Sequence, residues 1–118
     1  MKLNINEVSN VTGLKRDSIL GVLGITANDS LYHFLKHKNV LDTSANQLAT
    51  EIAKNVKLLF DVVTWVLVMH DGKKKRAKAW FRTHNWELKQ RMRPVDLLIS
   101  RNGLRELEKF LRPRKKRI

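Results

Sequence analysis

"VKLLFDVVTWVLVM", residues 56–69, is the stretch that separates a helical fold from a mixed one. Its last eight residues are rich in Val, Thr and Trp, which individually favour strand. A run that short is ambiguous by periodicity alone. The residues before it settle the reading. Leu48, Ile52, Val56, Leu59, Val63 and Val66 recur at helical spacing, and this stripe enters the β-like run in phase. One long helix is expected, opened by a capping box of Ser44 and Gln47. The apolar run, Val62 to Met69, is too short for a bilayer crossing, which needs roughly 20 residues.

The pattern on both sides is also helical. Leu3, Ile5 and Val8 start a short apolar face that Gly13 ends. Leu14, Ile19, Leu20, Leu23 and Ile25 form the next, with a turn at Gly24. Leu31, Phe34 and Leu35 then share one helical face, with Asn28 or Asp29 as its cap. Beyond the break at "HDGK" (70–73), Ala77, Trp80, Phe81 and His84 fall on one face of a further helix. Pro94 suits a helix first turn. Ser100 or Asn102 caps a last helix carrying Leu104, Leu107, Phe110 and Leu111, and Pro113 is expected to end it.

These elements predict an all-α fold. An N-terminal helix-turn-helix bundle (1–42) is joined by a long core helix (43–71) to a small helical domain (72–111), with a basic tail (112–118). The chain has 118 residues and no cysteine, so disulfides and thiolate zinc sites are excluded. The first ten residues lack the apolar core of a signal peptide. A soluble, cytoplasmic protein is expected, with no membrane partner.

Charge is unevenly placed. Residues 1–72 hold seven Lys/Arg and seven Asp/Glu; residues 73–118 hold seventeen and four, the whole net charge of +13. That asymmetry points to a polyanionic partner, such as nucleic acid or an acidic protein.

Four features have chemistry to weigh. "RDSILGVLGITANDSLYHFLKHKN" (16–39) fits a helix-turn-helix, with Asn28, Ser30, His33, Lys36, His37 and Lys38 able to reach base edges or phosphates. Two helices joined by glycine also occur in proteins that never meet DNA, and the neutral charge of this half gives no strong phosphate grip. His33 and His37 have i, i+4 spacing that can hold a metal, but no third ligand lies nearby in sequence, so no metal or cofactor is expected. "GKKKRAKAWFRTHNW" (72–86) has six Lys/Arg and no acid. It reads either as a base-stacking platform or as a helix with buried rings; the helical spacing of its rings favours burial. Lys73, Lys74, Lys75, Lys78 and Arg82 stay available for nucleic acid or an acidic partner in either reading. The tail, Arg112 to Arg117, suits DNA, an acidic cleft or mere solubility. No phosphate-binding glycine loop, nucleophile elbow or HExxH pair is present, so an enzyme is not expected.

The spacing of Ala77, Trp80-Phe81, Thr83, Asn85, Leu88, "RPVDLL" (93–98), Ser100, Gly103 and Phe110-Leu111 resembles the C-terminal toxin-binding domain of the Xre/MbcA/ParS antitoxin family. "SLYHFLKHKNVLDTSANQL" (30–48) is similar to the same family's upstream region. The resemblance covers roughly residues 12 to 111. It implies an antitoxin of a type II toxin–antitoxin pair that binds its own operator as double-stranded DNA, dimerises, and neutralises a RES-type, NAD-degrading toxin. It also implies that Trp80 and Leu97 are core, while Arg105, Lys109, Arg112, Arg114, Lys115, Lys116 and Arg117 face the toxin. The chain departs from the pattern in three places. The turn "GITANDSL" (24–31) is one residue longer than is usual in the family, Gln90-Arg91-Met92 stand where the family often has glycines, and the C-terminal half is unusually basic. A stand-alone nucleic-acid-binding regulator using that basic half is the alternative.

Overall fold

The computed structural model describes residues 2–43 and 50–115, the side chain of Lys115 excepted. The Ser44–Gln47 capping box lies outside the described residues.

Asn4 caps the first helix, its Oδ1 accepting from Glu7 N at 3.1 Å. Helix α1 (Ile5–Thr12) ends at Gly13, which takes φ 80° and donates its N–H back to Ser9 O. Helix α2 (Arg16–Val22) follows, then α3 (Ser30–Leu35). Asp29 precedes α3, but its carboxylate accepts from Thr26 N and Oγ1 instead of capping the helix. A short ribbon not anticipated from the pattern closes this region. Strand β1 (Lys2–Asn4) pairs antiparallel with β2 (Val40–Asp42), with Leu3 opposite Leu41.

The long segment is helical as far as it is described: α4 runs Thr50–Met69 and buries Val56, Leu59, Val62, Val63 and Val66 on one face. Burial of that stripe outweighs the strand preference of its β-branched residues. Helix α5 (Lys74–Arg82) packs on α1, burying Ala77 and Phe81. Helix α6 (Pro94–Ile99) has Pro94 in its first turn, as expected, and α7 (Gly103–Lys115) lies against α4 and α6.

All these helices feed one core. Ile5 and Val11 of α1, Ile19 of α2, Val56 of α4, Phe81 of α5, Leu98 of α6 and Leu107 of α7 belong to a single buried cluster. The N-terminal helices therefore share their apolar interior with the C-terminal ones.

Three local expectations are corrected. Helix α5 stops at Arg82, so His84 is exposed in the following loop and does not continue the buried face. Phe34 is 55% exposed, with the Lys38 ammonium 4.3 Å from its ring centre, while Leu35 alone of its trio is fully buried. Pro113 sits inside α7 and does not end it. Its ring removes one backbone donor near an exposed helix end, where water reaches the freed carbonyl. Residues 112–115 of the expected tail are thus helical.

Candidate functional site

The structure separates the candidate residues into two faces. The first surrounds α3. Asn28, Ser30, His33, Lys36, His37 and Lys38 are all exposed. Ser30 and His33 are on α3, Asn28 is in the turn before it, and Lys36, His37 and Lys38 follow its end. Because α3 ends at Leu35, His33 and His37 do not share a helix. Among the described residues, no group of three His, Cys, Asp or Glu is placed to hold a metal.

Besides the buried Leu35, polar bonds hold α3 in place. The Arg16 guanidinium donates to Leu35 O at 3.4 Å and to Lys38 O, and also to Asn6 Oδ1 at 3.1 Å and Asn39 Oδ1. Tyr32 donates its hydroxyl to Asp17 Oδ1 at 2.9 Å, and this bond to a carboxylate raises the phenol pKa above its ordinary value. One arginine and one tyrosine thus tie the segment to α1 and α2, and its outer side chains remain in solvent.

The second face is the end formed by α5, the loop 83–93 and α7. Here each residue of the spaced motif has an internal task. Ala77 is fully buried where α5 meets α1. Thr83 Oγ1 donates to Ala79 O at 2.6 Å, closing the last turn of α5. Asn85 Oδ1 accepts from Glu87 N at 2.9 Å, and Asn85 N donates to Met92 O at 3.0 Å, pinning both ends of the loop. Leu88, Leu97 and Leu98 are buried. Arg93 grips Asp96 through two hydrogen bonds of 2.7 and 2.9 Å, which pull the Asp96 carboxyl below its ordinary pKa and raise that of the arginine. Ser100 Oγ donates to Leu97 O at 2.7 Å. A Cβ on Gly103 would stand 1.5 Å from Leu97 O, so only glycine lets α7 start there.

Trp80 is only half-buried, its ring edge-on to Phe81 with centroids 5.2 Å apart. Trp86, not singled out from the sequence, is 76% exposed, the most exposed large apolar side chain among the described residues. The Arg91 guanidinium lies 4.2 Å from its ring centre. Gln90 and Arg91, which depart from the glycines common in the resembled pattern, both have positive φ, 57° and 54°. A groove of about 380 Å³ between α5 and this loop is lined by His70, Arg76, Trp80, His84 and Trp86. The only sequence signal for Trp86 is its phase: continued as a helix, it would lie half a turn away from Ala77.

Of the four expected toxin-facing cations whose side chains are described, three are engaged in ion pairs. Arg105 pairs with Glu51, and Arg112 binds Glu108 through both carboxylate oxygens at 2.9 and 2.6 Å. Glu108 is only 7% exposed, so Arg112 neutralises a nearly buried acid. Arg114 donates to Phe110 O at 2.6 Å, lies 3.7 Å from that residue's ring centre, and pairs with Glu87 in the Trp86 loop. Lys109 is exposed. The side chain of Lys115, and Lys116 and Arg117 entirely, lie outside the described residues.

Of the basic residues of α5, Lys74 pairs with Glu7 of α1 at 2.7 Å. Lys78 and Arg82 reach over the end of α1: a Cβ on Gly13 would lie 3.0 Å from Arg82 Nη1 and 3.4 Å from Lys78 Cε. Helix α1 has no basic residue in its own last turn, so these two cations serve its carbonyl-rich end. Lys73 and Lys75 are exposed and form no ion pair among the described residues. No described helix is long and apolar enough to cross a membrane. No protein-family model matches the chain, and no curated protein matches it.

Proposed function

We propose that this chain is a DNA-binding antitoxin. It represses its own operon through α3 and neutralises a RES-type, NAD-degrading toxin by masking its active site. One observation carries the reading: the motif of residues 77–111 is a folding code in which nearly every position has a packing or hydrogen-bonding task. Such consistency between motif and packing supports reading the stretch as one specific module. The function attached to that module is an inference from family resemblance. The polar groups left in solvent then divide the work. Ser30, His33, Lys36 and His37 suit a DNA groove. The exposed Trp86 beside Arg91 suits a protein interface, where Trp and Arg are the commonest anchors.

Purification with the product of the neighbouring reading frame tests it. A stable complex that survives gel filtration and binds the DNA upstream of the pair is expected. A gene with no such neighbour, or a neighbour that never co-purifies, contradicts it. The alternative, a regulator with no toxin, draws support from the unpaired lysines of α5, and predicts upstream-DNA binding with no protein complex.

A further inference from the structure

The cations of α5 are not spread evenly around it. Lys74, Lys78 and Arg82 recur every fourth residue and so form one stripe, about 12 Å long at 1.5 Å per residue. Lys75 flanks this stripe, whereas Arg76 lies on the other rim beside Trp80. The stripe runs along α1, from Glu7 in its first turn to Gly13 at its end.

The same helix is bridged to the end of α3 through Arg16 of α2. Asn6, the residue before Glu7, accepts from Arg16, which also holds Leu35 O and Lys38 O. Neighbouring residues diverge by about 100° around a helix, so the two contacts are not on opposite sides of α1. Asn10, which is exposed, falls between them. The end of α3 and the cationic stripe therefore flank one exposed strip of α1.

We propose that Lys75 and Lys78, with Lys73, grip the phosphate backbone of the same duplex whose major groove α3 enters. This inference rests on the DNA-binding reading above. Double-stranded DNA fits better than an acidic protein because no large apolar side chain stands exposed among these lysines. Protein interfaces need such anchors. A backbone grip needs only exposed cations within reach of neighbouring phosphates, which Lys73, Lys75 and Lys78 supply. It would also supply the nonspecific charge that the neutral N-terminal half lacks.

The test uses the full chain and two labelled duplexes, one from directly upstream of its own reading frame and one of scrambled sequence. In wild type and a Lys75→Gln/Lys78→Gln variant, affinity is measured against salt concentration. The variant should lose affinity for both duplexes by a common factor. Its slope of log K on log salt should fall by about 1.8, at about 0.9 per phosphate contact. A Lys75→Arg/Lys78→Arg variant should restore the slope, and thermal melts should show that both variants stay folded at the assay temperature, whatever stability Lys78→Gln gives up at the end of α1. An unchanged slope overturns the proposal. If the variant instead loses only the neighbouring gene's product, the stripe is a protein interface and the proposal falls. A Ser30→Ala/His33→Ala variant checks the underlying reading separately. It should erase the preference for the upstream duplex while leaving the salt slope nearly intact; a retained preference removes α3 from recognition without deciding the stripe.

Discussion

The α3 segment and the α5–α7 end are built on opposite principles. In α5–α7 the side chains that carry the sequence pattern point inward or tie loops to helices: Thr83, Asn85 and Ser100 each bond backbone, and Gly103 makes room for it. In the α3 segment the polar side chains Ser30, His33, Lys36 and His37 point outward and support nothing inside. A recognisable motif can thus be mainly about folding, while the side chains left open to a ligand stand where the fold places little demand.

The contrast can be broken most forcefully at Gly103. Gly103→Ala should cost on the order of 3 kcal/mol in a denaturant melt, because the backbone must move away from Leu97 O. A silent substitution would mean that the α6–α7 junction is not tightly specified. Arg16→Ala should cost about 2 kcal/mol through its charged hydrogen bonds. Its effect should be local, with faster amide exchange in α3 and protection in α7 unchanged. Uniform loosening of both would contradict the separation of the two regions.

Smaller effects sharpen the picture in the loop. Gln90→Gly should stabilise by about 1 kcal/mol, since the left-handed backbone disfavours a side chain. That corresponds to a melting temperature about 4 °C higher. Asp96 should contribute least. Its folded pKa is depressed by Arg93, so its contribution is present above the unfolded value of about 4 and is lost as pH falls through the lower folded value. Asp96→Asn should cost under about 1 kcal/mol at neutral pH, as expected of a partly exposed pair, and should flatten the acid limb of a stability–pH curve.

Much of this fold is legible in the sequence because apolar stripes at helical spacing are long-range signals. The stripe through Val56, Leu59, Val63 and Val66 overrides the strand preference of the same segment. The β1–β2 ribbon is not legible, because three residues a side carry too little alternation to register. Helix ends are legible at Gly13, where a positive φ is required, and misleading at Pro113, where one lost hydrogen bond near solvent is tolerated. The polar, exposed surface at α3 is legible in the sequence; that of Trp86 is not, because its exposure depends on where α5 stops. The basic tail likewise misleads as far as it is described. Arg112 serves Glu108 and Arg114 serves Glu87, pairings that only the packing of α7 reveals.

The antitoxin reading meets its most direct test in cellular NAD. Cells induced for the neighbouring gene alone should lose NAD and stop growing. Co-expression of this chain should restore both, and Trp86→Ala, at a side chain the fold does not need, should fail to restore them while melting like wild type. NAD that never falls, or falls equally with this chain present, would contradict the reading.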